Sequence, residues 1–344
     1  MRKVVLFLVL ALAIVIAGCQ GGQKGQVSST TPFIGGTEGL TAKFAENSPP
    51  PEVTDLQTDS NGKLINTFEI VVLLENVGEV DVPKERAIVT IGGILSSDFV
   101  QSASGNPLKK NPPNDLTGVK KDPDGNKIPG ATVDVRFDNL AYQKVLQGST
   151  TFPVQADLCY TYQTKAVSDL CIRQDATKPV SGVCQISGQK PVFNSGAPVQ
   201  FTVSKESVAG KNKVLLTFNV KNVGVGSVFR YDNKDPKTQC TQGAFADENR
   251  VLVEVKTGLT GTTDKPLTIS CSGITPAKDK EDKDASKTAE GTFIGYLRLD
   301  KGEGTFSCLQ ETPAQDAVKK VDLKLTYNYL TSKSTTIVVK HLLS

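Results

Sequence analysis

The sequence predicts an all-β protein built as two tandem β-sandwich domains, and three observations support this. Phe68–Gly78 (FEIVVLLENVG) and Val214–Gly224 (VLLTFNVKNVG) each place apolar residues at every second position and end on Asn-Val-Gly. A period of two over that length marks a strand with one face in a core. Further along, Arg86–Ile91 matches Arg250–Val255, and the pair Tyr160/Tyr162 matches Tyr327/Tyr329, in the same order. No long helical stripe competes, since Asn139–Gln147 has room for two turns at most. At 344 residues the chain is long enough for two ordinary domains.

The N-terminus reads as an address. Met1-Arg2-Lys3 is basic, Val4–Ala17 is apolar and uncharged, and Ile16-Ala17-Gly18-Cys19 closes the run. Residues 1–18 therefore predict a secretory signal, shorter than the roughly 20 residues a membrane-spanning helix needs. The closing four residues resemble a lipobox, which implies cleavage before Cys19 and lipidation of its side chain, anchoring the chain to the membrane. An ordinary signal peptide or an uncleaved anchor is the alternative. One acyl chain binds membranes weakly, so retention needs two or more, or a further contact. Residues 19–32, rich in Gly, Gln, Ser and Thr, read as a flexible tether.

Domain 1 is expected over residues 33–175. Gly39–Phe44 is a short apolar entry, and Pro49-Pro50-Pro51 breaks any regular element. The strand Phe68–Gly78 follows, then Ala87/Val89/Ile91, a loop over Asn111–Pro129, and a half-buried strand through Val133, Val135 and Phe137. Phe152, Val154, Ala156, Leu158, Tyr160 and Tyr162 share one face. Leu158–Gln163 and Ser168–Arg173 are expected to form a hairpin centred on Lys165.

Residues 176–182 are the expected linker, and domain 2 covers 183–344. Its strands are expected at Val199–Val203, Val214–Gly224, Arg250–Val255, Phe293–Leu299 and Val321–Tyr329. Lys278–Lys287 (KDKEDKDASK) reads as a solvated loop of mixed charge.

Besides Cys19 there are six cysteines, an even number that in an exported chain points to disulfides. The predicted hairpin would pair Cys159 with Cys171 across two strands. Cys271 and Cys308 end the short strands LTISC and GTFSC and are expected to pair, leaving Cys184 with Cys240; a Cys240–Cys271 pairing stays open.

The chain lacks the parts for most catalysis. Trp is absent and His341 is the single histidine, so zinc sites and His-activated nucleophiles have little to build on. Glycine-rich stretches lack the phosphate-loop pattern, and no cofactor is expected. A net charge of +3 spread along the chain does not suggest nucleic acid. One metal candidate exists: Asp122, Asp124 and Asn126 space oxygen ligands as a calcium loop begins, but Lys127 and Val133 then break the pattern. The competing reading is a hairpin turn at Asp124-Gly125.

With the lipobox, LENVGEVDVP at Leu74–Pro83, CYTY at Cys159–Tyr162 and VKNVGVGSV at Val220–Val228, the chain resembles two-domain archaeal surface lipoproteins with CARDB-like, immunoglobulin-like sandwich modules, themselves uncharacterised. That resemblance implies an immunoglobulin-like fold and a cell-surface address, and it carries no catalytic residue or ligand. The expected function is a non-enzymatic, lipid-anchored interaction or adhesion module that contacts an envelope protein, a glycan or another cell. The alternative is an envelope-assembly subunit that pairs through exposed strand edges, and the third class is a hydrolase working with carboxylates alone.

Overall fold

The computed structural model describes residues 31–100, 108–178, 183–231, 240, 245–276 and 291–341. The signal segment 1–18, Cys19, nearly all of the tether, residues 179–182 of the linker and the charge run 278–287 lie outside the described residues.

The first half contributes β1 (Leu40–Phe44), β2 (Glu52–Thr54), β3 (Phe68–Asn76), β4 (Ala87–Gly92), β5 (Lys109–Lys110), β6 (Lys120–Lys121), β7 (Lys127–Ile128), β8 (Thr132–Leu140) and β9 (Thr150–Ile172). In the second half, β10 (Gly188–Lys190), β11 (Val192–Asn194), β12 (Val199–Gly210), β13 (Lys213–Asn222) and β14 (Ser227–Phe229) come first. Then follow β15 (Arg250–Lys256), β16 (Ile269–Ser272), β17 (Thr275–Pro276), β18 (Thr292–Arg298), β19 (Glu303–Glu311) and β20 (Ala317–Lys340). The fold is all-β, with several antiparallel sheets in an open, sandwich-like arrangement.

The alternating residues that mark β3 and β13 pack as their pattern requires. Ile70, Val72 and Leu74 are buried in β3, and Val214, Leu216, Phe218 and Val220 in β13. β3 lies between β1 and β8 in a three-stranded sheet, while β13 lies between β12 and β19 in a five-stranded one.

The largest sheet has ten strands and takes them from both halves. At its centre β9 and β20 run antiparallel through 23 residue pairs, from Ala317 opposite Ile172 to Val339 opposite Thr150. The hairpin expected at Lys165 does not form; β9 runs straight through it. Gln163–Val167 holds none of the residues that favour a turn. Its alternation continues instead through Thr164, Ala166, Ser168, Leu170 and Ile172, all buried. One apolar cluster includes Ile70, Phe137, Phe218 and Val253, so neither the ten-stranded sheet nor the core divides at residues 176–182.

The straight β9 also corrects the disulfides. Cys159 and Cys171 stand in one extended strand, about 40 Å apart at 3.3 Å per residue, far beyond the reach of a bridge. Cys159 instead joins Cys240, with Cα atoms 6.0 Å apart, and Cys171 joins Cys184 at 5.8 Å. The expected Cys184–Cys240 pair is thereby replaced as well, because Cys184 follows the chain back beside the end of β9. A third bridge joins Cys271 to Cys308, which face each other across β16 and β19.

Candidate functional site

The Asn-Val-Gly endings of β3 and β13 are not simple turns. Each holds a tyrosine from the long central strands. In the first half, Asn76 Nδ2 donates to the Val80 carbonyl at 2.8 Å, and the Val80 N–H donates to the Tyr162 hydroxyl at 3.3 Å. That hydroxyl lies 3.4 Å from Asn76 Oδ1, completing the loop. In the second half, Asn222 Nδ2 donates to the Gly226 carbonyl at 2.8 Å, and the Gly226 N–H donates to the Tyr329 hydroxyl at 2.8 Å. Tyr329 in turn donates to Asn222 Oδ1 at 3.1 Å. The Val77 and Gly78 N–H groups both reach the Gly39 carbonyl, as those of Val223 and Gly224 both reach Pro198.

Glycine is required at the third position of both motifs. A Cβ on Gly78 would lie 2.0 Å from the Tyr162 hydroxyl, and one on Gly224 would lie 2.4 Å from that of Tyr329. Both distances are far inside contact.

The two halves meet at these tyrosines. Tyr160 lies opposite Tyr329 and Tyr162 opposite Tyr327, on either side of Thr161, whose hydroxyl bonds Asn328 Oδ1 at 2.7 Å. All four rings are buried, and neighbouring rings meet edge-on at centroid distances of 5.7–6.2 Å. Burial pushes every one of the four hydroxyls above the ordinary tyrosine range. They stay protonated and act as hydrogen-bonding posts.

Around this shared centre the halves differ. On one side Ser195-Gly196-Ala197 runs along β9: the Ser195 N–H donates to the Lys165 carbonyl at 2.8 Å, and the Gly196 carbonyl accepts from Tyr162 at 3.3 Å. Glu79, next after the first Asn-Val-Gly, takes the N–H groups of Ile34, Gly35 and Gly196 at 2.7–2.9 Å. Thr164 is fully buried there and its hydroxyl bonds both the Val199 carbonyl and the Tyr327 hydroxyl.

The matching place in the other half is open. A cavity of about 280 Å³ lies between the start of β1, the Gly224–Ser227 turn and Leu330–Lys333 of β20. Tyr160, Leu40 and Glu38 line it from the first half. Thr331, which corresponds to Thr164, presents a buried hydroxyl with no hydrogen-bond partner among the described residues. Val225, which stands where Glu79 stands in the first half, is 97% exposed. Lys333 is exposed where its counterpart Ala166 is buried.

The residues singled out from the sequence lie elsewhere. Asp122, Asp124 and Asn126 form the turn between β6 and β7. Asp122 accepts from the Asn126 N–H at 2.7 Å and from Asn126 Nδ2 at 2.9 Å, and these bonds hold its carboxyl below the usual range. Among the described residues no group of three or more His, Cys, Asp or Glu side chains is placed to hold a metal. His341 does have a partner that the sequence did not reveal. Its Nδ1 lies 2.6 Å from Oδ2 of the buried Asp55, which also accepts the Leu146 N–H at 2.9 Å. Among the described residues no hydroxyl or thiol is hydrogen-bonded to its other ring nitrogen, so this pair ties the C-terminal end of β20 to the first half.

No protein-family profile matches the chain, and no curated protein matches it in sequence. Among solved structures, it is similar to the secreted serine protease VesC from Vibrio cholerae at 10% identity and a TM-score of 0.18. That match covers 84% of this chain and 50% of the protease, so the chain spans half the protease's length. A likeness at that score carries no argument about fold or activity.

The cavity itself was not legible in the sequence. Its one trace is the difference between Glu79 and Val225 directly after two otherwise matching motifs.

Proposed function

We propose that this protein is an exported, lipid-anchored, non-enzymatic interaction module at the cell surface. In this reading two immunoglobulin-like, CARDB-like repeats are joined back to back through β9 and β20, and Cys19 carries the lipid. Three disulfides fit an oxidising, extracellular setting. The observation that carries the binding role is the open cavity between the repeats, at a place that the other half fills with the chain's own backbone. The partner is another envelope protein, a glycan or the surface of another cell. The assembly alternative, pairing through strand edges, draws support from the stretch of β20 between β14 and β2, with which no described strand pairs.

Cross-linking on intact cells followed by mass spectrometry tests the reading. A reproducible envelope neighbour cross-linked beside the cavity, and release of the chain from membranes on Cys19→Ser, are the expected results. A chain that stays membrane-bound after Cys19→Ser would remove the anchor. Turnover of a polysaccharide or peptide by the purified protein would remove the non-enzymatic role.

A further inference from the structure

The outer edge of β20 is covered at three places, first by β15 at Asp322–Thr326. β14 pairs with it at Asn328–Leu330, and β2 pairs with it in parallel at Val338–Lys340. Between β14 and β2 no described strand pairs with that edge. The Val338 N–H points outward, donating to the Pro51 carbonyl at 3.0 Å. In an antiparallel strand the backbone groups alternate in direction. The N–H and C=O of Ser332, Ser334 and Thr336 therefore point to the same edge, in residues that are exposed. This row starts at the cavity.

The other half of the molecule shows what such a slot takes. There β11 pairs with β9, Asn194 opposite Ala166 and Val192 opposite Ser168, and the chain continues through Ser195 and Gly196 into the place that matches the cavity. An extended segment thus supplies backbone partners along the strand and a carbonyl to the central tyrosine. In the open half the equivalent approach, Phe33–Gly36, is drawn away: Glu79 holds the Ile34 and Gly35 N–H groups, and the Gly36 carbonyl accepts from Ala197.

We infer that the β20 edge from Ser332 to Thr336, together with the cavity at its head, takes an extended peptide strand from a partner protein, added antiparallel to the sheet. This is strand addition at an open edge, in which backbone bonds supply affinity and alternate side chains supply selectivity. The partner strand carries an acidic residue opposite Lys333, in the position Asn194 holds against Ala166, and a small residue over Thr331. Charge complementarity at Lys333 points to a different protein and not a second copy. Two copies paired through this edge about Lys333 would bring like charges together, which destabilises cross-strand pairs.

The inference rests on the interaction reading above, and the two fail separately. The probe is a synthetic peptide with the Gly188–Pro198 sequence carrying Asp at the Asn194 position, titrated into the full chain in detergent, with a Lys version alongside. The Asp peptide is expected to bind about tenfold tighter than the Lys peptide, with Lys333→Glu inverting the order. Ser334→Pro removes an outward N–H without touching the β9 side, as edge strands tolerate. It is expected to weaken binding about tenfold or more while near-ultraviolet circular dichroism is unchanged. Equal binding to the parent, Lys333→Glu and Ser334→Pro proteins would overturn the inference, as would no saturation by about 1 mM peptide. A dimer lost on Ser334→Pro would assign the edge to a second copy, and displacement of the peptide by an envelope oligosaccharide would assign the cavity to a glycan; either overturns it. Capture of an envelope partner that survives Ser334→Pro would keep the broader reading and remove this slot.

Discussion

The two Asn-Val-Gly turns are the most informative comparison in the molecule, because the bonds that tie each to its tyrosine match while those that reach outward differ. Each asparagine holds a carbonyl four residues on, each glycine makes room for a tyrosine hydroxyl, and each motif takes its N–H partners from the strand entering beside it. After the first turn Glu79 gathers three N–H groups from two approaching segments. After the second, Val225 stands in solvent beside a cavity. The same scaffold thus closes one side and leaves the other open, and the difference rests on one residue's chemistry and on where Phe33–Gly36 runs. The bonds inside each turn hold the fold together and match, while the contacts that reach outward differ.

Substitutions in the matched pairs test this contrast. The largest effect is expected for Gly78→Ala, whose Cβ would also meet the Gly196 carbonyl at 2.5 Å, with a loss of about 3–4 kcal/mol in chemical denaturation. Gly224→Ala, facing the open side, should cost about 2 kcal/mol. Equal losses would show that the closed side adds no rigidity.

Exchanging the residues after the turns comes next. Glu79→Val leaves three N–H groups without their acceptor and should cost about 2–3 kcal/mol. Val225→Glu, in solvent, should stay within about 0.5 kcal/mol of the parent. Matching effects of the two changes would break the comparison.

A smaller test concerns Glu206, which the closed side buries completely. It accepts the Cys171 N–H at 3.0 Å and pairs with Lys190 at 3.2 Å, and its other oxygen has no partner among the described residues. Burial pushes its carboxyl up to about 7 from an ordinary 4.5. Between those values the folded chain holds a proton that the unfolded chain releases. Stability from this group is therefore highest below about pH 4.5, falls as the pH rises through 7, and is level above. Glu206→Gln should remove that slope, gaining on the order of 3 kcal/mol at pH 8 relative to pH 4.5. Denaturation midpoints at the two pH values measure it, and parallel pH profiles for parent and variant would refute it.

Much of the strand content was legible from alternation alone. Ile70, Val72 and Leu74, and Val214 through Val220, are buried as their spacing requires, because side-chain period reports directly which face meets a core. The matched order of Asn-Val-Gly and paired tyrosines was visible too, though not that the two features bond to each other. Alternation states which face of a strand is covered and nothing about which edge pairs with what. Alternation therefore allows a hairpin at Lys165 where β9 runs straight, leaves the partners of Cys159 and Cys184 undecided, and does not show that one ten-strand sheet joins the halves. Edge pairing is set by backbone groups that every residue shares, so local sequence leaves it open until distant segments meet. The cavity beside Thr331 belongs to the same class: Phe33–Gly36 turns toward Glu79, a contact between residues far apart in the chain, and among the described residues no strand takes its place on β20.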